Sequence, residues 1–159
     1  MKRVLLKSVY DAFDYVMEHY YPLGMEDMAE RKDLYAVISI QDTHTLGFGF
    51  EFTESRACVG ALTLYFDDIV KPVEGAEAFN EEHAREIIRF IMKNRRAETL
   101  LVHCYGGQSR SRAVAAFAVK MLGGDNSEYF AAGSPNSLVY ETLERVFESE
   151  FKGKDQQIL

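Results

Sequence analysis

Residues 103–111 read His103-Cys104-Tyr105-Gly106-Gly107-Gln108-Ser109-Arg110-Ser111, which places a cysteine and an arginine six positions apart around a glycine-rich turn. The apolar run Thr99–Val102 before this segment is typical of a strand, and the almost wholly apolar run Ser111–Leu122 after it is typical of a buried helix. A loop that leads into a helix directs unpaired backbone N–H groups at one spot, where the helix dipole adds partial positive charge. The segment therefore predicts an anion-binding loop with a thiol at its floor.

The side chains of this loop are those that transfer of a phosphoryl group requires. Arg110 supplies a planar, two-pronged donor that matches phosphate oxygens and would stabilise their charge in the transition state. The positive field of the loop favours a thiolate at Cys104, and a thiolate that faces a bound phosphate is a positioned nucleophile. Gly106 and Gly107 let the backbone turn with its N–H groups inward. A buried, unreactive core thiol is the alternative role for Cys104.

The pattern His-Cys-x-x-Gly-x-x-Arg-Ser at residues 103–111 resembles the signature of the cysteine-dependent protein tyrosine phosphatases. The length and layout of the chain, from about Asp33 to Phe147, resemble the compact dual-specificity branch of that family. The resemblance implies a phosphatase that forms a cysteinyl-phosphate intermediate on Cys104 and needs no metal or organic cofactor. It also implies that the loop binds the phosphate of the substrate through Tyr105, Gly106, Gly107, Gln108, Ser109 and Arg110.

The leaving oxygen of a phosphate ester needs a proton, so the reaction requires a general acid. The candidates are Asp67 and Asp68, which follow the partly alternating apolar run Cys58–Phe66. The family places its acid on a mobile loop after the preceding strand. The resemblance favours Asp68, because the family's acid follows two or three alternating apolar residues and one polar residue, as Asp68 does. Asp68 lies 36 positions before Cys104, a longer separation than the family pattern, and Lys71–Gly75 resembles a small insertion that accounts for it. Solvation of a turn is the alternative role for both aspartates.

Four further residues have predicted supporting roles. Ser111 is expected either to donate a hydrogen bond to the Cys104 sulfur, easing its departure in the second step, or to cap the helix. His103 is expected to point away from Cys104, to the other face of the strand, and to orient the loop through hydrogen bonds. Asn136 resembles a family asparagine that supports the catalytic loops, although a helix N-cap is the favoured interpretation. Cys58 would form a protective disulfide with Cys104 on oxidation or, as we favour, lie unreactive in a buried strand.

The remaining pattern predicts an α/β fold, with residues 1–159 as a single domain around a central, largely parallel sheet flanked by helices. The glycine- and aromatic-rich segment Gln41–Arg56 is either a substrate-facing insertion or a peripheral hairpin. Residues Lys152–Leu159 are expected to fray. The predicted strands are Arg3–Val9, Ala36–Ile40, Cys58–Phe66 and Thr99–His103. The predicted helices are Tyr10–Tyr20, Ala76–Arg96, Ser111–Leu122 and a final one that starts at Ser134-Pro135-Asn136 and ends at about Glu150.

The net charge and the lack of a recognisable targeting segment restrict the expected partners and location of the protein. A formal net charge of −7 argues against binding to nucleic acid or to an acidic membrane, both of which attract basic surfaces. Lys7 and Asp11 interrupt the first apolar run too early for a signal peptide, and no run is long enough to span a membrane, so we expect a cytoplasmic protein. A reducing compartment would keep Cys104 active. No metal site is expected, because three of the histidines, His19, His44 and His83, lack the spacing of ligands.

The loop composition also bears on the substrate. None of the five residues between Cys104 and Arg110 is basic, whereas phosphoinositide-cleaving relatives usually carry lysines there. We therefore expect a phosphorylated protein or peptide as the partner, phosphotyrosine above all, with dual specificity left open because pocket depth decides it. Three alternatives stay open: a phosphate-binding module without catalysis, a rhodanese-like or arsenate-reducing enzyme, and a phosphatase for a lipid, nucleotide or sugar phosphate.

Overall fold

The computed structural model describes residues 1–29, 31–44 and 47–153 of the chain. It contains a sheet of four strands, Arg3–Lys7 (β1), Tyr35–Gln41 (β2), Cys58–Tyr65 (β3) and Thr99–His103 (β4). The strands are parallel and lie in the order β1-β4-β2-β3. The central strands β2 and β4 are buried along their whole length, because helices cover both faces of a parallel sheet and select continuous apolar runs. The predicted α/β fold with a parallel sheet is confirmed.

Helices pack on both faces of this sheet. The first helix packs on one face, where the ring of Tyr20 lies tilted against that of Tyr35 of β2 with centroids 4.5 Å apart. Three further helices cover the other face and form the larger part of the apolar core with it. The α-helices in the described ranges are Val9–Tyr20 (α1), Glu81–Lys93 (α2), Arg110–Met121 (α3), Ser127–Ala131 (α4) and Ser137–Val146 (α5). None of the helices in these ranges has the length and apolar character that crossing a membrane requires.

Helix α2 is shorter than the predicted Ala76–Arg96 at both ends. It begins at Glu81 because Asn80 caps it: the Asn80 side chain accepts a hydrogen bond from the backbone N–H of His83 at 3.0 Å. The preceding backbone at Glu77 instead donates to the side chain of Asp67. The start predicted from periodicity is therefore wrong, because a contact with a distant residue holds this segment outside the helix.

The end of the chain also differs in detail from the prediction. The last helix is capped by Asn136, and an α-helix that ends at Val146 continues as a π-helical turn over Phe147–Phe151. Helix α4, which the sequence did not reveal, is too short to show a periodic pattern. The described residues 42–44 and 47–56 contain no strand, so the peripheral hairpin is wrong for that segment. Of the residues expected to fray, 154–159 lie outside the described residues.

The parallel arrangement brings distant segments together at one edge of the sheet. Strands β3 and β4 run in the same direction, so the residues after their carboxyl ends share that edge. These residues are the Asp67-Asp68 pair and the loop that starts at Cys104. Ligand sites of open parallel sheets lie at this edge.

Candidate active site

The loop between β4 and α3, together with the first turn of α3, contacts the sulfur of Cys104. The backbone N–H of Gly107 donates to Cys104 Sγ at 3.2 Å, and the Ser111 hydroxyl lies 3.0 Å from the same atom. Ser109 occupies the N-cap position of α3, so Ser111 lies in the first turn and does not cap the helix. Cys104 is almost completely buried, which leaves the opening of the loop as its approach.

Gly107 gives this loop its shape. Its φ of +71° lies in the left-handed region, where side chains other than hydrogen are strained. A Cβ atom at this position would also lie 2.8 Å from backbone atoms of Lys7 and Ser8, at the junction of β1 and α1. The same junction anchors the loop at Tyr105, whose carbonyl accepts a hydrogen bond from the Val9 N–H at 3.1 Å. Close packing against this junction directs the Gly107 N–H at the sulfur.

Arg110 begins α3 and is only 5% exposed, which is rare for an arginine at a helix start. Its Nη1 donates to the carbonyl of Phe66 at 2.7 Å and forms an ion pair with Asp42 Oδ1 at 2.6 Å. Its Nε is buried and has no hydrogen-bond partner among the described residues. Burial of an unpaired N–H donor is costly, so Nε indicates a place for an acceptor that a ligand would supply.

The side chain of Asp68 is exposed and lies against the Cys104 loop. Its Oδ1 accepts hydrogen bonds from the Ser109 hydroxyl and from Asn136 Nδ2, each at 2.8 Å. Both donors use the same oxygen, so Oδ2 is the atom on which Asp68 would carry a proton. Asn136 also caps α5, where its side-chain oxygen accepts from the Val139 N–H at 3.0 Å. The two interpretations of Asn136, N-cap and loop support, therefore describe contacts that coexist.

Asp67 has a different environment from its neighbour. Its buried carboxylate accepts hydrogen bonds from the Thr43 N–H at 3.1 Å, the Thr43 hydroxyl at 2.6 Å and the Glu77 N–H at 2.7 Å. Burial raises the pKa of Asp67, but the hydrogen bonds from Thr43 and Glu77 outweigh burial and lower the pKa to about 2. Asp67 is therefore an ionised clamp between two segments, and its oxygens face those segments.

His103 is fully buried beneath the loop. Its Nε2 lies 2.7 Å from the Ser39 hydroxyl and its Nδ1 lies 3.2 Å from the carbonyl of Cys104. Burial lowers the pKa of His103, although the contact with the Cys104 carbonyl opposes this, so the imidazole is neutral. A neutral ring fits both contacts if Nδ1 donates to the carbonyl and Nε2 accepts from Ser39. The sequence pattern did not predict a role for Ser39; its signal is that of a polar residue within the otherwise apolar run Ala36–Ile40.

Cys58 lies at the opposite end of the sheet from Cys104. It pairs with Tyr35, which pairs in turn with Thr99 at the start of β4, whereas Cys104 follows the last residue of that strand. Five residues of strand correspond to about 16 Å, and a disulfide requires Cα atoms within about 7 Å. The suggested protective disulfide is therefore wrong, and the favoured prediction of a buried strand thiol is confirmed by the complete burial of Cys58.

Two surfaces flank the opening of the loop. On one side, Tyr105 is 57% exposed and its ring centroid lies 6.2 Å from that of Phe48 and 6.3 Å from that of Tyr10. We name these three residues the aromatic rim. On the side of Asp68 there is a groove with a volume of about 510 Å³. Its lining comprises Asp68, Ile69, Val70, Lys71, Val73, Ser109, Ser134, Pro135, Asn136 and Ser137.

The chain matches no protein-family model and no curated protein. Solved structures do match it, each with a TM-score of 0.53. The structure of DUSP15 has 19% identity and covers 99% of this chain and 91% of its own. That of PTPMT1 in complex with PI(5)P has 17% identity and covers 98% and 91%, and that of Tk-PTP in the active form has 19% identity and covers 92% and 90%. All three are cysteine-based phosphatase folds. This chain has the protein tyrosine phosphatase fold.

Proposed function

We propose that this protein is a phosphatase that hydrolyses phosphotyrosine in proteins or peptides through a cysteinyl-phosphate intermediate. The observation that carries the proposal is the combination of the Cys104 sulfur, which accepts a hydrogen bond from the Gly107 N–H, with the buried and unpartnered Nε of Arg110. A nucleophile and an unpartnered arginine donor within one short segment are what phosphoryl transfer needs. The shared fold supports a phosphatase of this general type.

The first step transfers the phosphoryl group to the enzyme. The Cys104 thiolate attacks phosphorus, so that an S–P bond forms while the P–O bond to the leaving group breaks. Arg110 and the loop N–H groups hold the non-bridging oxygens, whose charge they stabilise in the transition state. The proton on Asp68 Oδ2 moves to the leaving oxygen, which departs as a neutral phenol.

The second step returns the enzyme to its starting state. The Asp68 carboxylate accepts a proton from water, whose oxygen attacks phosphorus while the S–P bond breaks. The hydroxyl of Ser111, 3.0 Å from the sulfur, donates a hydrogen bond to the departing thiolate. Inorganic phosphate leaves, and Asp68 is again protonated for the next cycle.

The surroundings of the loop support an aromatic phosphate ester as the substrate. The aromatic rim of Tyr105, Phe48 and Tyr10 offers ring faces and edges to a phenyl group that enters above Cys104. The loop has no lysine with which to bind a second phosphate. Both features favour phosphotyrosine over a phosphoinositide, although one of the matching solved structures holds PI(5)P.

The test is hydrolysis of p-nitrophenyl phosphate by reduced protein in the presence of a metal chelator. We expect turnover by the wild type and none by Cys104→Ser, while Cys58→Ser, which removes the distant buried thiol, serves as the matched control and keeps its activity. Phosphotyrosine peptide, phosphoserine peptide and PI(5)P are then compared by kcat/KM, with the phosphotyrosine peptide expected to be the best substrate.

Each competing function has its own result in this experiment. Folded, reduced wild type that binds phosphopeptide without turnover would be a binding module. Sulfur transfer from thiosulfate to cyanide would indicate a rhodanese-like enzyme, and arsenate reduction with a thiol donor would indicate a reductase. A higher kcat/KM for PI(5)P than for the phosphotyrosine peptide would contradict the proposed substrate while leaving the reaction intact.

A further inference from the structure

Asp42, the residue directly after β2, forms an ion pair with the Nη1 atom of Arg110, the arginine of the loop. Its Oδ1 lies 2.6 Å from Arg110 Nη1, and the carbonyl of Phe66 lies 2.7 Å from the same nitrogen. An Nη atom of arginine carries two hydrogens. The Phe66 carbonyl and the Asp42 carboxylate therefore occupy the hydrogen-bonding capacity of Nη1.

The occupied nitrogen determines which edge of the guanidinium is left for a ligand. The group is planar, and its Nε–H and one Nη2–H point the same way, forming a two-donor edge that matches two phosphate oxygens. Arg110 Nε is buried and has no partner among the described residues, so this edge retains a donor for a ligand. A different rotamer of the Arg110 side chain would give up the contacts of Nη1 and turn the Nε–Nη2 edge to another direction.

We propose that Asp42 is a positioning residue that fixes the rotation of Arg110, so that the Nε–Nη2 edge faces the bound phosphate. Phe66 supplies only a neutral carbonyl, whereas Asp42 supplies a charged acceptor, which makes a shorter and stronger hydrogen bond. The inference rests on the proposed function only in taking an inorganic phosphate-like oxyanion as the ligand.

A negative side chain beside an anion site has an opposing effect, because it also repels the ligand. The Asp42 side chain is 36% exposed, so water screens its longer-range repulsion, while the Arg110 side chain is 6% exposed and their contact is direct. Orientation should therefore outweigh repulsion. The two effects predict opposite changes in oxyanion affinity when Asp42 is removed, which makes the proposal testable by sign.

The experiment measures binding of inorganic phosphate by calorimetry, with thermal melting as the check of folding. We expect Asp42→Ala to bind phosphate about 10- to 100-fold more weakly than wild type, because a misplaced binding group costs about that much. Asp42→Asn, which keeps an oxygen acceptor without the charge, should lie between them and remains informative if the alanine variant does not fold. Glu51→Gln removes an exposed charge from the following segment and should bind as wild type does.

A double-mutant cycle separates orientation from general loosening of the site. In an Arg110→Lys background, Asp42→Ala should cause no further loss, because lysine has no second edge to present. The proposal is overturned if Asp42→Ala binds phosphate as tightly as wild type or more tightly, if its loss is the same in both backgrounds, or if wild type does not bind phosphate. Wild type that binds phosphate but hydrolyses no ester would refute the proposed function alone, since the affinities of the variants would still decide the role of Asp42.

Discussion

The substitution of asparagine for aspartate should reduce activity at Asp68 and stability at its neighbour Asp67. Asp68→Asn keeps a side-chain oxygen for the hydrogen bonds from Ser109 and Asn136, but it removes the proton that the proposed mechanism transfers to the leaving group. General acid catalysis contributes about 10²- to 10⁴-fold, which corresponds to about 3–5 kcal/mol of transition-state stabilisation. Because Asp68 is exposed, the free energy of unfolding of Asp68→Asn should differ from that of wild type by no more than about 0.5 kcal/mol.

Asp67→Asn should reduce stability and largely spare the chemistry. The Asp67 carboxylate accepts three hydrogen bonds, from the N–H and hydroxyl of Thr43 and from the N–H of Glu77. Asparagine has one acceptor oxygen, and its amide would face a backbone donor. The loss of one charged hydrogen bond, worth about 1.5–3 kcal/mol, together with one unsatisfied buried donor, gives a destabilisation of about 3 kcal/mol.

The assays are urea denaturation for stability and kcat/KM toward two aryl phosphates for activity. An ester whose phenol is strongly acidic needs little protonation, so it should restore much of the activity that Asp68→Asn loses with an ester of a weakly acidic phenol. Asp67→Asn should keep the same ratio between the two esters as wild type. If Asp67→Asn is instead the inactive, leaving-group-sensitive variant and Asp68→Asn is active, the assignment of the acid is refuted.

Three further predictions follow from single contacts. The lowering of the pKa of Asp67 to about 2 corresponds to about 2 kcal/mol in the free energy of unfolding. This stabilisation is complete above about pH 4 and is lost as the pH falls through 2. Acid should therefore lower the free energy of unfolding of wild type more than that of Asp67→Asn, as urea titrations can measure. Gly107→Ala should lose at least about 10-fold in activity and about 1–3 kcal/mol in stability, because the φ of this residue is +71° and an added Cβ would contact backbone atoms. Gly106→Ala is the control and should remain active, because an added Cβ there would lie 3.9 Å from its nearest neighbour. Cys58→Ala should be inactivated by peroxide at the wild-type rate, since Cys58 lies at the far end of the sheet from Cys104 and cannot protect it; slower inactivation of wild type would contradict this.

The elements next to the loop were predictable because their signals are local. Strand β4 and helix α3 are predominantly apolar segments that flank the loop, and their observed ends differ from the predicted ends by at most one residue. The start of α2 was not predictable. Residues 76–80 continue the helical pattern, but the carboxylate of Asp67 binds the Glu77 N–H. A tertiary hydrogen bond therefore overrides the local preference of these residues for a helix, which the sequence pattern indicates.

The supporting residues of the site were hidden for a related reason. Asp42 contacts Arg110 and Ser39 contacts His103 across separations of more than sixty residues. An aspartate in a polar loop has the same sequence signature whether it meets water or a buried guanidinium. Only the parallel register, which places the ends of β2 and β4 side by side, brings each of these partners to the loop.

The charges around the loop bear on which phosphates the protein would accept. Arg110 is the only lysine or arginine within residues 103–111, and the carboxylates of Asp42 and Asp68 lie against the same loop. Affinity for a phosphate dianion must therefore come from the direction of Arg110 and of the backbone N–H groups, since total charge does not favour it. Donors aimed at one point stabilise a single phosphate and give nothing to a second one nearby. If the protein is the phosphatase that we propose, these charges should favour esters with one phosphate over multiply charged head groups.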